Sequence, residues 1–294
     1  MAGRMSVVIV LALVAAAPVA ADDPPKKAVT PLARTHAHND YEHNRPLFDA
    51  LDCGFCSVEA DIWLVGDQLL VGHTPFALKK ERTLEKLYLD PLRVLAKAND
   101  GKVYPKGPAF HLMIDIKTDA KDTYAALAKV LASYADILTV TRDGKTEAKA
   151  VTVVISGSRD VKAITDQKTR YAAIDGRPAD LDGDTPAHLI PWISDSWKNH
   201  FKWDGTGAMP EAERKKLREL VAKAHKQGRK VRFWATPETV EVWKELLAAD
   251  VDFLNTDKLA DLENFLRGEE KQTDLSQMNA SGNTNRLCGH RLPP

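Results

Sequence analysis

Neither sign of charge is in surplus in this sequence: 41 lysines and arginines face 41 aspartates and glutamates over 294 residues. A balanced chain has no global field with which to hold nucleic acid or an anionic membrane surface, so an anionic ligand must be captured by a local site. Cysteine is almost absent. Cys53, Cys56 and Cys288 are the three, too few for a disulfide framework. Cys53-Gly-Phe-Cys56 has the spacing of a redox pair, but it closes a helical pattern and enters a strand, whereas redox pairs open a helix at its N-terminus. Packing is the expected role. No strand pattern leads into Gly-x-Gly-x-x-Gly, which argues against a dinucleotide-binding open sheet. Long apolar runs are missing as well: beyond the first 21 residues nothing approaches the ~20 consecutive apolar residues of a membrane span.

The N-terminus has the composition of an address. Arg4 precedes the apolar run from Val7 to Ala17, and Pro18-Val19-Ala20-Ala21 supplies small residues before Asp22-Asp23. The run is short and alanine-rich, so residues 1–21 are expected to be a cleaved secretory signal, with a retained anchor as the alternative. That places the mature protein outside the cytoplasm, secreted or periplasmic, with no stable membrane insertion. Residues 22–30 form a polar linker with Pro24-Pro25-Lys26-Lys27.

From residue 31 to residue 268 strand and helix patterns alternate. Strands are expected at 32–38, 55–64, 68–73, 110–117, 151–156, 170–175, 188–193, 230–235 and 251–255. Helices are expected at 46–53, 90–99, 120–135, 159–166, 210–227, 237–248 and 258–267. With 68–73 folding back as a hairpin around Gly66-Asp67, eight strands alternating with helices match a single-domain (β/α)8 TIM barrel in size and order. A doubly wound open sheet is the rival. Residues 269–294 are polar and aperiodic, and disorder is expected there.

The chemistry-bearing residues fall at the C-terminal ends of the early strands, where barrel active sites lie. Side chains alternate along a strand, so His36 and His38 share a face, as do Glu59 and Asp61. In 110–117, Leu112, Ile114 and Ile116 form an outward apolar face, while His111, Met113, Asp115 and Lys117 point into the barrel. Glu59, Asp61 and Asp115 would then converge. Like charges at i and i+2 in a closed interior repel unless a cation lies between them, and oxygen ligands of this kind suit Ca2+ or Mg2+. Lys117 is placed to neutralise a phosphate oxygen; a plain Asp115–Lys117 salt bridge is the competing reading. A lone strand histidine usually packs. Three of them, His36, His38 and His73, beside a proposed metal suit acid–base work on a phosphodiester, one imidazole activating the attacking oxygen and another protonating the departing one. Trp63 and Trp234 are expected to line the pocket.

His38-Asn39-Asp40, Ser57-Val58-Glu59-Ala60-Asp61-Ile62, Leu70-Val71-Gly72-His73 and Ile114-Asp115-Ile116-Lys117 resemble the glycerophosphodiester phosphodiesterase and phosphatidylinositol-phospholipase-C-like superfamily. The order His, Glu-x-Asp, His, acid-x-Lys carries the resemblance, over about residues 34–117; Phe233-Trp234-Ala235-Thr236 and Val251–Asp257 add weaker support. The resemblance implies a metal-dependent phosphodiesterase: His38 and His73 as the acid–base pair, Glu59, Asp61 and Asp115 as Ca2+ or Mg2+ ligands, Lys117 as a phosphate contact. Its substrate would be a glycerophosphodiester or a phospholipid headgroup. Two departures mark an outlying branch. Asn39 stands where the family has an arginine, and Asp115 where glutamate is commoner. Arg159 is a candidate replacement for the missing guanidinium, with a surface salt bridge the alternative; His36 and Asn39 would complete the substrate contacts. A non-catalytic barrel that binds a phosphorylated lipid headgroup or sugar is the second reading.

Overall fold

The computed structural model describes residues 29–284. The expected signal at 1–21, most of the linker and the last ten residues lie outside that range. Eight parallel strands follow one another around a closed barrel: β1 (Thr35–Ala37), β2 (Ser57–Val65), β3 (Phe110–Ile116), β4 (Val151–Gly157), β5 (Ala172–Gly176), β6 (Trp192–Ser196), β7 (Lys230–Trp234) and β8 (Leu254–Thr256). Each pairs with its sequence neighbour from β1 to β7, and β8 pairs back onto β1 in register His36 with Asn255. The β7–β8 seam is closed by a single bridge, Arg232 with Phe253, where the Phe253 amide donates to the Val231 carbonyl at 3.2 Å. The architecture is a single-domain (β/α)8 barrel.

Strand alternation splits the core into two parts. Outward residues such as Val58, Ala60, Ile62, Leu112, Ile114 and Ile155 join one apolar layer with the surrounding helices. Inward residues Met113, Val154, Trp192 and Phe253 form a separate cluster inside the barrel, filling it as a packed core rather than a pore. The helices present matching stripes: Leu217, Val221 and Ala224 are the buried face of the helix Glu211–Lys226, at helical spacing. Trp192 and Trp197 are fully buried. Cys53 and Cys56 are free thiols, each pushed up to about 12 by burial, in keeping with packing.

The sixth strand, expected at 188–193, runs instead from Trp192 to Ser196, and two larger departures accompany it. Val140–Arg142 and Lys145–Glu147 form a hairpin that pairs with Thr169–Arg170 in a small antiparallel sheet. Its Asp143-Gly144 turn has positive φ at both residues, 48° and 77°, the strongest short hairpin signal a sequence carries. The final helix runs from Leu259 to Thr284, so the disorder expected from 269 is corrected over 269–284. No proline interrupts that stretch, and its Glu, Lys and Gln residues are good helix formers. Among the described residues no helix is long and apolar enough to cross a membrane.

Candidate active site

Strand geometry delivers the acidic cluster. Glu59 and Asp61 point inward from β2, and the register that pairs Asp61 with Asp115 sets the third carboxylate beside them. One oxygen from each of Glu59, Asp61 and Asp115 lies within 4.8 Å of the others. Two oxygens on opposite sides of a Ca2+ at ~2.4 Å stand about that far apart. Asp61 Oδ1 is buried with no hydrogen-bond partner. Asp115 Oδ1 lies 3.0 Å from Lys117 Nζ but outside hydrogen-bond geometry. Burial, with Glu59 nearby, raises the pKa of both, Asp61 to about 6. An unpartnered oxygen on Asp61, within a cluster of buried, mutually repelling carboxylates, fits a hard divalent cation. Gly157 makes room for the cluster: a Cβ there would lie 2.2 Å from Asp115 Oδ1, and its φ of +68° is one that only glycine adopts freely.

Lys117 sits with its ammonium 3.1 Å from Asp61 Oδ2. Burial disfavours its charge, but Asp115 and Asp61 outweigh that and raise its pKa. In this arrangement Lys117 is an ion-pair partner of two proposed ligands.

His38 and His73 stand on either side of the carboxylates. His38 Nδ1 is 2.8 Å from Asp257 Oδ1, and its Nε2 is 3.9 Å from Glu59 Oε2. Burial opposes the charge on His38, yet the hydrogen bond to Asp257 and the proximity of Glu59 raise its pKa. A carboxylate at Nδ1 puts the proton there and turns the Nε2 lone pair toward the cluster. His73 Nδ1 is 3.4 Å from Asp61 Oδ2, and its side chain is 59% exposed. Tyr41, itself buried, links the two sides. Its hydroxyl donates to Asp61 Oδ2 at 2.6 Å, and lies 3.1 Å from His73 Nδ1 and 2.7 Å from Asn39 Oδ1. Asn39, in the left-handed region at φ 47°, brings its Nδ2 within 3.0 Å of His38 Nδ1.

His36 requires a correction. It is completely buried, one layer below His38, because a two-residue step along a strand carries a side chain ~6.6 Å deeper. Its Nδ1 is 2.7 Å from Ser57 Oγ, and its Nε2 accepts from Arg232 Nη1 at 2.7 Å. Burial and the Arg232 charge push its pKa down to about 3. It is a neutral support under the site, not a substrate contact. Arg232, 3% exposed, also lies 3.5 Å from Glu59 Oε2. Burial works against Glu59's charge, but Arg232 and His38 hold its pKa well below the usual carboxylate range.

The rim residues are dispersed. Trp63 is half-buried, its indole donating to the Gly72 carbonyl at 2.7 Å, one residue before His73. Trp234 is also half-buried, with the Arg177 guanidinium 5.0 Å and the Arg232 guanidinium 5.8 Å from its ring. Arg159 donates to the main-chain carbonyl of Asp175, so the structure commits it to β5 rather than to the place opposite Asn39. Tyr41, Arg232 and Asp257 were missed by sequence reasoning. Arg232 was the most accessible, since alternation along 230–235 turns it inward with Trp234. A large cavity of about 640 Å3, bordered by Leu32 and Leu266, lies at the opposite end of the barrel and has no part in this cluster.

A family model described as the AIM6-like phosphodiesterase domain matches residues 25–175, more than half of the chain. The chain belongs to the AIM6-like phosphodiesterase family. A second model, the glycerophosphoryl diester phosphodiesterase family, matches residues 230–260, the segment with Arg232, Trp234 and Asp257. The AIM6-like relatives include the Altered inheritance of mitochondria protein 6 homolog of Arthroderma benhamiae, 30% identical over 79% of this chain and 82% of that protein. Altered inheritance of mitochondria protein 6 of Eremothecium gossypii is 30% identical over 80% of this chain and 69% of its own length. The Saccharomyces cerevisiae protein of the same name is 28% identical over 79% and 70%. A remoter likeness, TM-score 0.48 and 15% identity over 81% of this chain and 93% of the other, is to a calcium-dependent phosphoinositol-specific phospholipase C from Pseudomonas sp.; it is too distant to carry an argument. The secreted or periplasmic location expected from the N-terminus is overturned by the relatives' names, which refer to the inheritance of mitochondria and not to export.

Proposed function

We propose that this AIM6-like barrel is a metal-dependent phosphodiesterase whose substrate is a glycerophosphodiester or a phospholipid headgroup. The observation that carries the reading is the pair of histidines flanking a three-carboxylate cluster, with His38 oriented by Asp257. Glu59, Asp61 and Asp115 would hold Ca2+ or Mg2+, which when bound would supply Lewis-acid polarisation of the phosphoryl group. His38 takes the proton of the attacking hydroxyl at Nε2, and Asp257 stabilises the imidazolium that forms. That hydroxyl belongs to water or to a neighbouring position of the substrate. As the new P–O bond forms and the old one breaks, His73 delivers a proton to the departing alkoxide. Tyr41 positions His73 and Asp61, Asn39 packs beside His38, and His36 with Arg232 fixes Glu59 from below. Lys117 meets a phosphate oxygen once a dication takes over the charge of Asp61 and Asp115. Trp63 and Trp234 are left to contact the alcohol portions.

The test is hydrolysis of bis(p-nitrophenyl) phosphate by the purified chain, with Ca2+, with Mg2+ and with chelator, beside His38→Ala and Glu59→Ala. Metal-dependent turnover that both variants abolish supports the reading. A folded, metal-loaded protein without turnover points instead to a barrel that binds a phosphorylated headgroup or sugar.

A further inference from the structure

The end of the barrel opposite the carboxylates holds a second polar site. A cavity of about 190 Å3 lies beneath the N-terminal ends of β4, β5 and β6, roofed by the small antiparallel sheet. Arg170, only 5% exposed, lines it. Its Nη2 donates to His188 Nδ1 at 2.5 Å and to the His188 carbonyl at 3.1 Å. Its Nε is buried with no hydrogen-bond partner. No carboxylate pairs with Arg170 among the described residues, although buried charges are ordinarily paired. A guanidinium always donates, so His188 Nδ1 must be the acceptor, which leaves its proton on Nε2.

The rest of the lining is complementary. Thr139 and Thr152 hydroxyls are 2.9 Å apart, and Thr141 and Thr146 hydroxyls 3.0 Å apart. Each pair uses one hydroxyl hydrogen between them, so one O–H in each remains free to donate. The cavity thus lies against a buried guanidinium that has no carboxylate partner, an imidazole N–H and spare hydroxyls, with no acidic residue in its wall. A group that only accepts hydrogen bonds and carries negative charge satisfies that set; a cation or a neutral donor does not.

We propose that this cavity binds a small oxyanion of the phosphate class, held by Arg170 and oriented by His188 and the threonine hydroxyls. The volume exceeds that of a bare ion, and Ala148, Val153, Ala172 and Pro191 give an apolar wall for a small organic group on the phosphate. The site is independent of the carboxylate cluster and does not rest on the proposed activity.

Calorimetric titration of inorganic phosphate into the full chain tests it, alongside Lys117→Met, which removes a cation at the other mouth, and Arg170→Gln. Saturable binding that survives Lys117→Met and weakens at least about tenfold in Arg170→Gln, the effect of losing a charge-assisted contact, is the expected result. No saturable binding by the wild-type chain overturns the proposal. So does binding lost in Lys117→Met and intact in Arg170→Gln. Should Arg170→Gln fail to fold, Thr141→Val and Thr152→Val decide: each keeps its shape, each is expected to weaken binding several-fold, and unchanged affinity in both refutes the site.

Discussion

Replacing Asp257 by Asn isolates the orientation of His38 without emptying its position. The carboxylate lies 2.8 Å from His38 Nδ1, and the carboxamide is nearly the same size. A hydrogen bond to a charged group contributes about 1.5–3 kcal/mol. Asp257 is 54% exposed, and solvent screening places the loss toward the lower end of that range. We therefore expect kcat to fall about tenfold. The pH profile carries the sharper information. Burial alone would lower the pKa of His38, and Asp257 is the first of the interactions that reverse this, so His38 in Asp257→Asn must titrate at lower pH. As the base, His38 works only when neutral, and activity rises as pH climbs through its pKa. The acidic limb of kcat against pH should then move to lower pH while the alkaline limb stays in place. Movement of the alkaline limb instead would exchange the roles of His38 and His73. A profile with both limbs unmoved and kcat within about twofold of the parent would refute the coupling altogether.

Other perturbations have equally definite outcomes. Arg232→Met leaves Glu59 buried without its main countercharge, and urea denaturation of the metal-free chain should show a loss of about 3–5 kcal/mol; a loss under about 1 kcal/mol would mean Glu59 is balanced from elsewhere. Asp40 is fully buried, and burial raises its pKa from 3.8 to about 7 despite hydrogen bonds from the Leu47 amide and the Tyr88 hydroxyl. Its folded form therefore holds a proton that the unfolded chain releases. Stability from this group is complete below pH ~4 and declines by roughly 1 kcal/mol per unit until the folded group ionises near 7. Thermal melts of Asp40→Asn should lack that slope, and an unchanged slope would show that another group causes it. Chelation should lower the melting temperature of the metal-loaded chain and added Ca2+ restore it; if melts with and without metal coincide, the cluster is not a cation site. Lys117→Met should tighten metal binding by about tenfold while depressing turnover, because its ammonium no longer competes for Asp61 and Asp115; weaker metal binding would contradict this.

How far the site was legible in the sequence follows the range of the interactions. Glu59, Asp61 and Asp115 were readable because strand alternation is a local rule, and parallel register brings β2 and β3 together with little freedom. The same rule put His36 on the right face. It could not give depth, and depth is what separates a buried neutral imidazole from the exposed His73. Arg232 and Asp257 reach His36 and His38 from 196 and 219 residues away, a proximity that exists only once β7 and β8 close the ring. Tyr41 was hidden differently: it sits in a short turn after β1, where no periodicity signals which way a side chain faces. The hairpin at Val140–Glu147 did carry its Asp-Gly signal, and only its short strands concealed it among longer ones.

The β7–β8 seam ties a sparsely paired circumferential joint to the charge balance of the site. Other neighbouring barrel strands lie in one hydrogen-bonded path; here one bridge closes the circle, and the residue on it is Arg232. Parting of the ring at this seam would draw the guanidinium away from Glu59 and His36. Breathing of the barrel and discharge of the site would be one event. Native-state hydrogen exchange would see it as early labelling of the Phe253 amide, slowed when a cation occupies the carboxylates.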